Sequence, residues 1–151
     1  MNRPRYFEDF RIGESERFGS YPVTKEEVVE FARRYDPQAF HVDEAAATRT
    51  HFGGLIASGW HTAAMYIRMV NDHGLAGTAT LAGLGFDDMR WPQPTRPGDV
   101  LSVESTVKAK VELRSREDRG VVTFAIRLLN QRREVVMSFD MLVLYGRRPK
   151  A

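Results

Sequence analysis

The 151-residue sequence contains no cysteine. Disulfides and thiolate chemistry are therefore excluded, and a reducing compartment, the cytoplasm, is the expected location. Long apolar runs are also missing: nothing approaches the ~20 consecutive residues that a membrane helix needs. Neither sign of charge dominates, with 22 Lys and Arg against 20 Asp and Glu, a net charge of +2. Arg outweighs Lys and the isoelectric point is near 9.1. That balance is too mild to argue for nucleic acid, but it leaves room for a small anionic ligand in a locally basic patch. Met1 to Phe10 mixes charged and aromatic residues, unlike a signal peptide. Internal repeats, low-complexity tracts and linker-like stretches are absent, so one domain over residues 1–151 is expected.

What the chain does contain is a clear order of elements. Residues 6–13 read as a strand or hook closing at Gly13, and Ser15 to Val23 as a short strand. Thr24-Lys-Glu-Glu27 has the pattern of a capping box, opening a helix that should stop near Tyr35, because Pro37 pushes Asp36 out of the α region. Asp36 to Gly54 reads mainly as a structured loop, with a short helix over 45–50 that Asp43 can cap. Ser58 to Asn71 carries apolar residues on nearly every side, with Arg68 its one charge, which predicts a buried helix. From Leu101 to Val111 the alternation is strictly period two, a long half-buried strand. Val121 to Leu129, Val135 to Tyr145 and Gly83 to Trp91 supply three more strands, and Pro97-Gly98 suits a type II turn. A curved antiparallel sheet wrapped around one helix satisfies this order. That is an α+β fold of the hotdog kind.

The chemistry concentrates in two stretches. Asp36-Pro-Gln-Ala-Phe-His41-Val-Asp43 places a carboxylate and an imidazole five residues apart. Phe52-Gly-Gly-Leu-Ile-Ala-Ser58-Gly59 then leads into the apolar helix and offers free backbone N–H groups. Together these are the parts needed to move a proton beside a carbonyl.

These segments, with Tyr6-Phe-Glu-Asp-Phe10 and Arg96-Pro-Gly-Asp99, resemble the MaoC-like dehydratases, which include the (R)-specific enoyl-CoA hydratases. The resemblance runs over nearly the whole chain and in the same order. It implies a single hotdog subunit that forms a homodimer, higher assemblies staying open. It implies the hydration of a trans-2-enoyl-CoA thioester or the reverse dehydration of a 3-hydroxyacyl-CoA, with acyl-CoA as substrate and no cofactor or metal. Asp36 and His41 then map onto the catalytic pair. The Gly59 N–H maps onto the donor that holds the thioester oxygen, with Ser58 beside it as a second oxyanion or substrate contact.

Other residues carry weaker readings. Trp60 and Met65 read as core or dimer contacts, and His61 and Thr62 as possible supports of the pair. His51 and His61 lack the acid or cysteine neighbours of a metal site. Arg90, Arg96, Arg114, Arg116, Arg132 and Arg133 read as solvated surface from which partners for CoA phosphates could be drawn. Two other functions compete on the same fold: a thioesterase and a non-catalytic acyl-CoA-binding protein. One group of hotdog thioesterases uses an acid on the central helix, and here that helix has none before Asp72.

Overall fold

A computed structural model describes residues 3–151; Met1 and Asn2, part of the charged and aromatic N-terminal segment, lie outside the described residues. The chain runs β1 (Ser15–Pro22), α1 (Lys25–Tyr35), α2 (Ala39–Val42), α3 (Glu44–Thr48), α4 (Gly59–His73), β2 (Thr80–Arg90), β3 (Val100–Glu112), β4 (Arg119–Leu129) and β5 (Val135–Gly146). The five strands form one antiparallel sheet in the order β1-β3-β4-β5-β2. α4 lies against it, as expected for a single hotdog.

The sheet is held by buried cross-strand pairs. Val103 faces Leu128, and Leu128 faces Met137, each at most 1% exposed. α4 contributes Met65 and Met69 to the same core, each such side chain adding roughly 1.5–3 kcal/mol by leaving water. Gly19 makes this packing possible. It sits in a bulge of β1 at φ +86°, and a Cβ there would lie 2.5 Å from Met69 Sδ.

Two expectations change, and one open alternative closes. The N-terminal segment is a hook and not a strand: one 3-10 turn, Phe7–Asp9, drops Phe7 and Phe10 onto a second apolar cluster with Val107, Val122, Val143 and Tyr145. The alternation of β3 holds for Leu101, Val103 and Val107, then fails, and Val111 is 54% exposed. A register shift between Val107 and Ala109 breaks the inward phase. α4 is buried on one side only. His61, Thr62, Met65, Tyr66 and Met69 face inward, while Trp60 is 59% and Ile67 43% exposed, because one five-stranded sheet covers only half of a helix. Pro97-Gly98 does form the expected type II turn, with Gly98 at φ +92° and Asp99 N donating to Arg96 O at 3.0 Å. Among the described residues, no helix is long and apolar enough to cross a membrane.

Candidate active site

α1 stops where Pro37 dictates. Asp36 leaves the helix at φ −152° and ψ 68°, while its N–H still reaches Ala32 O at 2.8 Å. The chain then turns back at once. α2 is a single turn in which His41 N donates to Gln38 O at 2.9 Å, and it places His41 Nε2 3.3 Å from Asp36 Oδ2. The segment read mainly as a loop with one short helix thus holds two, and the five-residue spacing closes through the first, which was not expected. Asp43 caps the second, accepting from Ala46 N at 3.0 Å.

The imidazole is oriented from behind. His41 Nδ1 lies 2.8 Å from the carbonyl oxygen of Ile56, which can only accept. Nδ1 therefore carries hydrogen, and Nε2 is the nitrogen whose proton can come and go. His41 is buried, at 5% side-chain exposure, whereas Asp36 keeps 19% open to solvent. The carboxylate is held at both oxygens: Gln38 Nε2 donates to Oδ1 and the Ser58 hydroxyl to Oδ2, each at 2.7 Å. Burial pushes the Asp36 carboxyl up. The two donated hydrogen bonds and the neighbouring His41 more than offset this and leave it below the usual aspartate value.

Ser58 joins this pair to α4. It is the N-cap, wholly buried, and its oxygen accepts from Trp60 N at 3.2 Å while donating to Asp36. Gly59 is the first residue of the helix, at the positive end of its dipole. Among the described residues no hydrogen-bond acceptor engages its N–H. The reason for glycine here is specific. The Trp91 indole lies against the Cα, where a Cβ would sit 2.5 Å from the ring, and Trp91 Nε1 donates to Gly59 O at 3.2 Å.

The other sequence candidates lie elsewhere. His61 is buried and stacks on Phe31, its Nε2 3.0 Å from Glu27 Oε1. That same oxygen accepts from the Tyr21 hydroxyl, and burial with this bond pushes the Tyr21 phenol up to about 12. Glu27 is therefore not the return half of a capping box. Thr24 accepts from Glu27 N, but the Glu27 carboxylate faces His61. Thr62 bonds Ser58 O and Thr95 Oγ1 and does not touch the pair. Arg96 is half-buried, clamping the Phe52 carbonyl at 2.6 Å. Arg90, Arg132 and Arg133 face Asp88, Glu134 and Glu104 respectively, and Arg114 and Arg116 carry no ion pair among the described residues. Also among the described residues, no three His, Asp or Glu side chains gather as metal ligands. Sequence reasoning missed Gln38, Ile56 and Trp91. Gln38, directly after Asp36-Pro37, had a local signal; a backbone carbonyl and a tryptophan 32 residues from its glycine had none.

The sequence profile of the MaoC like domain matches residues 9–126. The chain belongs to the MaoC-like dehydratase family. A MaoC-like dehydratase of Rhodospirillum rubrum superposes with a TM-score of 0.90 at 43% identity, over 96% of this chain and 99% of that one. Among curated relatives, the uncharacterised Bacillus subtilis protein YdeM is 31% identical over 140 residues, 93% of this MaoC-like chain and 98% of YdeM. The mesaconyl-CoA hydratase of Cereibacter sphaeroides is 33% identical over 99% of this chain, which spans only 43% of that enzyme's length.

Proposed function

We propose that this chain is an (R)-specific enoyl-CoA hydratase, or the 3-hydroxyacyl-CoA dehydratase that runs the reaction in reverse. The observation that carries the reading is the 3.3 Å approach of His41 Nε2 to Asp36 Oδ2 beside the free N-terminus of α4. Family membership and the similarity to mesaconyl-CoA hydratase support it. In the hydration direction one water hydrogen-bonds to both Asp36 and His41. Nε2 takes its proton as the oxygen bonds to C3. The double-bond electrons move toward C2 and the thioester oxygen, and a proton from the pair closes the C2–H bond on the same face. The Nδ1–H bond to Ile56 keeps Nε2 as the exchanging atom. Asp36 stays ionised at neutral pH, so it orients the water and balances the imidazolium as it forms.

The Gly59 N–H holds the developing negative charge on the thioester oxygen. Losing a donor of this type costs about 3–4 kcal/mol of transition-state stabilisation. Ser58 acts on Asp36, not on the substrate, since its hydroxyl is buried and engaged there. A thioesterase of the central-helix-acid type gains no support: Asp72 is exposed and paired with Arg68.

The active form is a homodimer joined along β2. This edge strand exposes Leu81, Leu84 and Phe86, each about half accessible. The test is hydration of short, long and branched enoyl-CoAs with product chirality checked. Asp36→Asn and His41→Ala should each lower kcat by orders of magnitude without unfolding the protein. Near-normal turnover of crotonyl-CoA by both variants would sink the assignment.

A further inference from the structure

One buried imidazole takes no part in the chemistry of Asp36 and His41. His61 is 2% exposed and sits in the first turn of α4. Its Nε2 lies 3.0 Å from Glu27 Oε1, and an ionised carboxylate only accepts, so Nε2 carries hydrogen. Its Nδ1 is buried and has no hydrogen-bond partner among the described residues. Bare or protonated, that nitrogen forgoes the bond that water would give it. An apolar side chain in the same space would avoid the loss.

The ring is fixed in two ways, both from α1. It stacks on Phe31, with centroids 4.8 Å apart and planes 11° from parallel, and it donates to Glu27. The Tyr21 hydroxyl donates to the same Glu27 oxygen, so β1 anchors the carboxylate as well. Burial pushes the Glu27 carboxyl up, but the bonds from Tyr21 and His61 outweigh it and keep the group ionised at neutral pH.

α1 therefore meets the start of α4 at two polar ties. Asp36, just past the end of α1, accepts from the Ser58 hydroxyl at 2.7 Å. Glu27, in the first turn of α1, accepts from His61. The two acids are nine residues apart, about 13 Å along a helix, and their partners three apart, about 4.5 Å. One tie alone would let the end of α4 pivot about it. Two ties with a long base on α1 fix the direction of the turn between them. That turn carries the Gly59 N–H.

We infer that Glu27 and His61 are positioning residues, which aim the first turn of α4 and with it the Gly59 N–H. Directional bonds do this where apolar contacts would hold the helices together but let them slide. The effect on turnover rests on the hydratase reading; the hold on the helix end does not.

The decisive variant replaces both residues by leucine. Glu27→Leu/His61→Leu removes the unpartnered nitrogen and the charge facing it together, so the thermal midpoint should hold or rise. At that undiminished stability, amide exchange at Trp60 and Thr62, whose N–H groups bond Ser58, should quicken about tenfold. For crotonyl-CoA, kcat should fall about five- to twentyfold with KM within about twofold, because the Gly59 N–H acts on the transition state. His61→Gln, whose amide can still donate to Glu27, should stay within about threefold of the parent in kcat and in exchange. Unchanged exchange in the leucine pair overturns the proposal. So does a kcat within about twofold of the parent, or a glutamine variant as impaired as the leucine pair. If the leucine pair does not fold, Glu27→Ala takes its place, with the same expected shifts and the same refutations; Glu27 is 42% exposed, so its truncation leaves no closed cavity. Exchange needs no turnover, so a parent that hydrates no enoyl-CoA removes the hydratase reading alone, and exchange then decides whether the pair holds α4.

Discussion

Ser58 joins the two halves of the site, and its removal separates two roles that one hydroxyl performs. Ser58→Ala takes away the 2.7 Å bond to Asp36 Oδ2 and the cap on Trp60 N. A hydrogen bond to a charged acceptor is worth roughly 1.5–3 kcal/mol, and an N-cap about 1 kcal/mol. The sum, about 2.5–4 kcal/mol, is large against the ~5–15 kcal/mol of a typical domain but leaves the protein folded. Ser58→Gly keeps most of the capping preference, losing only a few tenths of a kcal/mol on that account. The two variants should therefore differ in stability by about 1 kcal/mol in urea denaturation. They should nevertheless share one catalytic defect. If the bond to Asp36 is needed in the transition state, kcat for crotonyl-CoA falls about ten- to hundredfold in both. With one donor gone, the Asp36 carboxyl moves up toward its ordinary value, so the acid limb of the rate profile should shift to higher pH. Unchanged kcat in Ser58→Ala refutes the reasoning. So does a defect present in the alanine variant and absent in the glycine one, since that would assign the effect to the helix cap.

Further outcomes follow from the same contacts. Gly59→Ala should cost about 1–3 kcal/mol by driving a Cβ into the Trp91 ring, and Trp91→Ala should recover part of it. Strict additivity of the two thermal shifts would show that the ring is not the obstacle. Asp36 and Glu27 both titrate below their ordinary 3.8 and 4.5, burial being outweighed by donated hydrogen bonds. Their contributions to stability are complete above those ordinary values and disappear as pH falls through the lower folded ones. Denaturation midpoints should thus drop steeply below about pH 4, less so in Glu27→Gln; equal slopes for parent and variant would count against it. Light scattering should report a dimer, and Leu84→Lys with Phe86→Glu should yield monomer; a monomeric parent at micromolar concentration removes the proposed β2 interface.

Much of this molecule was legible in one dimension. Period-two alternation marked β3, Pro37 marked the end of α1, and the Asp36-to-His41 spacing marked the acid and imidazole that meet in the fold, because each depends on neighbours within a few residues. The reading of α4 as buried all round went wrong for a related reason. Hydropathy reports that a face avoids water, but not whether this chain or another one covers it, and Trp60 and Ile67 remain open here.

Tertiary structure decided everything that joins distant positions. Only folding brings the Ile56 carbonyl behind His41, the Ser58 hydroxyl onto Asp36 and the Trp91 ring over Gly59. It also took Glu27 away from its own helix cap and gave it to His61, 34 residues further along. The sequence by itself determined which side chains could move a proton and where the backbone had to turn, since those follow from covalent structure and local sterics. The protonation state of Nδ1 and the depressed carboxyl of Asp36 depend on what lies within a few ångströms in space, and no run of neighbouring residues encodes that.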